Sequence, residues 1–252
     1  PAPPCTMVSM NFWHEVWSRL QENVQGAHVP DSLWLLTGVL AAAAIVLVPV
    51  LWVPLRQVVT VVHELGHATV GVLSGRRFTG FVVNSDMSGH TLTSGKPRGI
   101  GLILTMFAGY PMPAVVGAAM IAAALGGRAG LVLVVAFVLM MVALVRSRSG
   151  YTVVVLLLLL AGTGAAWWAN NPELSATIVS AVGVVLLVGA WRQVGAVIMG
   201  GSAHSDSAQL ARITPLPAGL LNLLMVAVIG LATWWAVDAL APVIGAVLDN
   251  AV

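Results

Sequence analysis

Apolar residues run along this chain in long blocks broken by short polar stretches. Blocks near 32–53, 57–73, 99–124, 129–145, 150–168, 174–191 and 217–240 have the length and character of membrane-crossing helices. The pattern predicts an all-α polytopic membrane protein with about seven transmembrane helices. Tight polar breaks, "RSRSG" and "NNPE", separate the fourth to sixth blocks. Two connections depart from the helical pattern. Residues 76–98, "RRFTGFVVNSDMSGHTLTSGKPR", hold two β-prone runs around a turn-rich centre, which predicts a small β-hairpin after the second span. Residues 192–216 are small and polar in the middle and predict a re-entrant or broken segment before the last span. The polar stretch 1–31 precedes all of these, with aromatics in "NFWHEVW" (11–17), and reads as an interfacial helix or a loosely ordered tail. The expected organisation is an N-terminal segment, 1–31, and one integral membrane domain, 32–252.

Composition sharpens the class. Hydrophobic residues make up 59% of the chain and charged ones 8%, against roughly a quarter charged in a soluble domain. A soluble globular protein is excluded, and the bilayer is the solvent. A formal charge of +2 gives no reason to expect nucleic acid. Cys5 is the single cysteine, so no intrachain disulfide can form. Only "PAPP" precedes it, so neither acylation at Cys5 nor a cleavable signal is expected.

The basic residues suggest an orientation. With the N-terminus cytoplasmic, the inner segments hold Arg19, Arg76, Arg77, Lys96, Arg98, Arg146, Arg148, Arg192 and Arg212, and the outer ones only Arg56 and Arg128. Nine against two predicts the N-terminus inside and the C-terminus outside.

One block carries chemistry. His63, Glu64 and His67 form H-E-x-x-H inside the second span. Positions i and i+4 share a helix face, so both imidazoles can reach one metal ion. Glu64 lies about 100° around the helix, beside the metal without ligating it, where it can act as general base on water and then as acid toward the leaving amine. Zinc suits such a site, being redox-inert and holding a position open in catalysis. With six histidines and four glutamates in 252 residues, about 0.002 such matches are expected by chance. Ionisable groups within a span mark function by default.

A catalytic zinc needs a third protein ligand. His14, His28, Glu15, Glu22 and Asp31 precede the first span, while Glu173, Asp238 and Asp249 fall on the outer side of the predicted topology. Asp86 and His90 in the hairpin read as ordinary turn and strand residues. His204 and Asp206, in "GSAHSDSAQL", lie in the segment that can fold back between helices. Asp206 is favoured as the ligand. His204 stands as an alternative ligand or as a partner of Asp206 or the water. His204 or Asn222 can also assist the oxyanion, and Asn222 can equally serve as an interhelical hydrogen bond.

These residues resemble the site-2 protease-like intramembrane zinc metalloproteases. The resemblance rests on "HELGHA" (63–68) in an early span, a hairpin just after it, "FAGYP" (107–111) in the following span, and Asp206 in "SDSAQLA" (205–211). It is greatest to the compact bacterial and plant branch that lacks a PDZ domain, although the family's late aspartate is usually followed by glycine and Asp206 is followed by Ser207. It implies one zinc ion per chain and hydrolysis of a peptide bond in or beside a transmembrane segment of a membrane protein substrate. With the orientation above it implies a multi-pass protein of the bacterial plasma membrane. It further implies that the hairpin pairs with an unwound substrate strand, with Phe81, Val82 and Val83 of "FTGFVV" offering an edge. The other reading of the hairpin is a cover for the site.

Two alternatives come from other classes. A non-catalytic, metal-binding regulatory protein of the same fold would not need Glu64. A small-ion transporter built on intramembrane acids would show two similar halves, and no internal repeat is visible.

Overall fold

The computed structural model describes residues 5–25, 31–86, 88–201 and 203–249. The elements are α1 (Cys5–Gln25), α2 (Ser32–Leu47), α3 (Pro49–Leu73), β1 (Arg77–Val83), β2 (Gly89–Ser94), α4 (Ile100–Phe107), α5 (Pro111–Leu125), α6 (Ala129–Val145), α7 (Gly150–Trp168), α8 (Pro172–Gly200), α9 (Asp206–Ile213) and α10 (Ala218–Asp249). Local chemistry sets several of these bounds. Asp31 caps α2 by accepting from the Leu33 amide at 2.9 Å. Asn171 caps α8 and Pro172 opens it, while Gly201 closes it in the left-handed region at φ +59°.

Among the described residues three helices, α7, α8 and α10, are long and apolar enough to cross a membrane, or up to five spans if each bent pair counts as one. The seven separate spans of the sequence reading are therefore not matched one for one. The first block covers α2 and the opening turns of α3, the second lies within α3, and α3 is bent 107° from α2 across Val48. The third block divides into α4 and α5, bent by 65°. Pro49 and Pro111 open the second helix of each pair. A proline has no amide to continue the preceding helix, and its ring clashes with the carbonyl four residues back. Arg192 steadies the first bend, donating to the Val46 carbonyl at 3.2 Å and stacking over Trp52. The re-entrant segment is also shorter than expected, because α8 continues to Gly200 and only 201–205 and α9 break the pattern.

The core is the crossing of α5 on α8, joined by α2 and α10. A Cβ at Gly117 would stand 2.5 Å from the Gly183 carbonyl, so the two backbones meet at a separation only glycine permits. On one face of this bundle, Leu35, Ala124, Ala129, Ala166 and Ala176 pack together, with Val243 against them. The Asp31 amide donates to the Glu173 carboxylate at 3.1 Å, and Arg19 donates to the Trp168 carbonyl at 2.6 Å. The N-terminal helix therefore docks beside the α7–α8 connection. The predicted topology put these two segments on opposite sides of the membrane, whereas here they are in contact.

α3 packs on the bundle through Val59, which meets Gly189 of α8, and on the hairpin as well. It lies along the hairpin: Gln57 donates to the Asn84 carbonyl and to Tyr151 Oη, while Gly71 and Arg76 meet Thr93. The hairpin, α4, α9 and the 146–149 connection gather with α3 on the face opposite the N-terminal helix.

Candidate metal centre

The H-E-x-x-H pair meets the late aspartate. His63 Nε2 and His67 Nε2 are 3.2 Å apart, and each is 3.3 Å from Asp206 Oδ2. Nitrogen and oxygen donors bind zinc at about 2.0–2.1 Å, so two of them at a tetrahedral angle stand about 3.3 Å apart. The three edges fit that triangle. Among the described residues His63, His67 and Asp206 form the one such group of metal-ligating side chains.

Hydrogen bonding favours a cation at this point. His67 Nδ1 is 2.7 Å from the Thr105 carbonyl, which only accepts, so Nδ1 carries the proton and Nε2 presents its lone pair. Asp206 Oδ2 is buried and accepts no hydrogen bond from a described residue. The His67 Nε2 lone pair and the Asp206 oxygen converge, and a positive charge between them relieves their repulsion. The donor set of two imidazoles and a carboxylate suits zinc.

Each ligand is placed by a local device. Ser205 caps α9, its Oγ accepting from the Ala208 amide, and Asp206 is the first helical residue. A carboxylate is stabilised there by the helix dipole. The break between α4 and α5 carries Gly109 against the ligands: a Cβ at that position would stand 2.5 Å from His67 Nε2. The same break sets the Tyr110 ring edge-on to His63, with centroids 4.8 Å apart.

Glu64 is buried beside the triangle. Thr91 Oγ1 on β2 lies 2.7 Å from Glu64 Oε2 and 2.8 Å from its carbonyl, and donates to them in turn. A Cβ at Gly89 would stand 2.5 Å from Glu64 Oε1. A cavity of about 790 Å³ opens over these groups, walled by β2, Tyr110, Gln193 and His204.

The remaining sequence candidates separate. His204 lines the cavity outside the ligand triangle. His90 also lines the cavity. Asp86 belongs to the hairpin turn, where the Ser88 hydroxyl and amide donate to it and hold its carboxyl below the ordinary range. Asn222 is not on the cavity wall, and its Oδ1 is buried with no partner among the described residues. Among the described residues of 199–208, His204 and Asp206 line the cavity.

The edge expected from Phe81, Val82 and Val83 is corrected. Phe81 and Val83 are 0% exposed. The Phe81 amide donates to the Arg146 carbonyl and its carbonyl accepts from the Arg148 amide, while Val83 exchanges both groups with Thr152 Oγ1. The outer edge of β1 is thus taken by the α6–α7 connection. Since Phe81 faces Thr91 and Val83 faces Gly89 across the hairpin, Thr91 and Gly89 turn their own backbone groups away from β1. The free edge of the hairpin is β2, on the cavity side.

Residues 36–237 match the family described as Peptidase M50B-like. The chain belongs to the Peptidase M50B-like family. No curated protein and no solved structure matches it. Membership places this M50B-like protein with the site-2 protease-like group, a membrane metalloprotease class. Thr91, Thr105 and Gln193 left no trace in the sequence reading, because a threonine or glutamine among apolar residues has no signature of its own. For Gly109 and Tyr110 a signal was present in "FAGYP", as a helix break one turn before Pro113.

Proposed function

We propose that this protein is an intramembrane zinc metallopeptidase that hydrolyses a peptide bond in or near a transmembrane segment of a membrane protein substrate. The observation that carries the reading is the ligand triangle of His63, His67 and Asp206, with the Glu64 carboxylate beside it in a cavity bounded by a free strand edge. Zinc held by these three residues would supply Lewis acidity and make water a nucleophile near neutral pH. Glu64 takes the proton of the attacking water and passes it to the departing amine. Thr91 fixes the rotamer of Glu64 for both transfers. The substrate, unwound from its helix, adds as a strand to Gly89 and Thr91 of β2, whose outward amides and carbonyls replace the helical hydrogen bonds it gives up. The hydrophobic unit from 32 to 252 works as one integral membrane domain.

The site faces the cytoplasm of a plasma membrane in this reading. The face bearing α3, the hairpin and α9 holds Arg56, Arg76, Arg77, Lys96, Arg98, Arg146, Arg148, Arg192 and Arg212, and the other face holds Arg19 and Arg128. Nine against two puts the hairpin side inside, with both the N-terminal helix and the end of α10 outside.

Comparative sequencing of protein termini in membranes carrying the wild type or Glu64→Gln tests the proposal. New termini at membrane segments, present with the wild type and missing with Glu64→Gln, are expected. Their absence with zinc-loaded wild type would overturn it.

A further inference from the structure

Peptide hydrolysis places negative charge on the scissile carbonyl oxygen, and a fixed donor aimed at that oxygen lowers the barrier. Most hydroxyls around the cavity are already committed. Thr60 donates to the Arg56 carbonyl, Thr91 to Glu64, and Thr105 to the Gly101 carbonyl.

Tyr110 is placed differently. Its ring packs with Leu210, Leu221 and Met225, an apolar cluster that fixes its direction. It also stands at 70° to the His63 ring, and it lines the cavity. A tyrosine half-buried among apolar groups needs a partner for its hydroxyl. Tyr110 is on the cavity wall, beside the ligand residue His63. A group bound in the cavity can accept from its phenolic O–H.

We propose that Tyr110 is a further catalytic residue, whose phenolic O–H hydrogen-bonds the carbonyl oxygen of the scissile peptide as charge develops on it. This rests on the peptidase reading above and adds a residue to it. As the water oxygen bonds to the carbonyl carbon, the π pair moves onto the carbonyl oxygen and Tyr110 stabilises it without giving up its proton. Glu64 holds the water's proton and delivers it to the amine nitrogen as the C–N bond breaks, and the Tyr110 bond relaxes when the carbonyl re-forms.

The test uses zinc-loaded full-length protein in detergent and a mixture of quenched fluorescent peptides, each carrying a model transmembrane segment with randomised residues about a helix-breaking centre. Wild type, Glu64→Gln and Tyr110→Phe are compared. Tyr110→Phe is expected to keep about one zinc per chain, to change KM less than twofold, and to lower kcat on the order of 10²-fold. Incorporating 3,5-difluorotyrosine at position 110 preserves shape and makes the phenol more acidic. It should add an alkaline fall in kcat that the wild type lacks, because an ionised phenol cannot donate. Cleavage lost in Glu64→Gln but retained in Tyr110→Phe, or a difluorotyrosine profile identical to wild type, overturns the role of Tyr110 alone. Absence of cleavage by wild type overturns the peptidase reading and this inference with it.

Discussion

Thr91 Oγ1 reaches Glu64 Oε2 at 2.7 Å and ties the free strand of the hairpin to the helix that carries both histidines. The contact joins the place where a substrate strand would bind to the group that would move its protons. Thr91→Val removes the donor at nearly constant volume. A hydrogen bond to a charged group contributes about 1.5–3 kcal/mol, and partial loss of orientation should lower kcat on the order of tenfold. Zinc content should stay at the wild-type level, and Thr91→Ser should recover most of the rate. A Thr91→Val protein with full kcat on a cleaved peptide would show that Glu64 is oriented by other groups.

The ligand triangle makes its own prediction in the purified protein. Wild type and Glu64→Gln should each carry about one zinc per chain, and Asp206→Ala markedly less. Thermal unfolding reports the same site, since a ligand at a hundred times its Kd stabilises the folded state by about 2.7 kcal/mol. Added zinc should raise the midpoint of metal-stripped wild type and leave that of Asp206→Ala unmoved. An Asp206→Ala protein that binds zinc as the wild type does would pass the third ligand to another residue, with His204 on the cavity wall the first to examine.

Two glycines should fail in different ways when made alanine. At Gly109 the new methyl would stand 2.5 Å from His67 Nε2 and also meet Asp206. Gly109→Ala should therefore lose zinc affinity by at least tenfold while the bundle still folds. At Gly117 the methyl meets the Gly183 carbonyl at 2.5 Å in the main helix crossing. Forcing volume into a well-packed contact costs typically 1–3 kcal/mol, so Gly117→Ala should lower the unfolding midpoint even without metal. Equal effects on the metal-free midpoint would contradict this division.

The motif helix, the hairpin and Asp206 were legible in the sequence because each rests on a local rule. Spacing of i and i+4 sets the two imidazoles, β-prone runs around "NSDMSG" set the strands, and Asp206 stood in a small-residue segment able to fold back between helices. Which edge of the hairpin is free was not legible. That depends on Arg146 and Arg148, more than sixty residues away, closing over Phe81 and Thr79. The path of α3 was hidden for a related reason. Hydropathy reports that a segment is buried in apolar surroundings, and a helix enclosed by protein gives the same signal as one that crosses lipid. The Asp31–Glu173 and Gln57–Asn84 contacts pair residues far apart in the sequence, which hydropathy does not register.

The path of α3 has a measurable consequence. If α3 crossed fully, residue 22 and residue 169 would lie on opposite sides of the membrane. In the structure α1 docks on Trp168 through Arg19, and Phe12 stacks on the same indole. The basic residues balance nine to two either way, but Arg19 and Arg56 exchange sides. Charge counting alone cannot choose between the arrangements, whereas labelling can. In a Cys5→Ser background, single cysteines at Glu22, Ala169, Ser85 and Lys96 occupy exposed positions. A membrane-impermeant maleimide applied to intact cells should label Glu22→Cys and Ala169→Cys together. Ser85→Cys and Lys96→Cys, in and beside the hairpin, should react only after permeabilisation. Opposite reactivity of positions 22 and 169 would restore a full crossing by α3 and place the hairpin contacts of Gln57 in error.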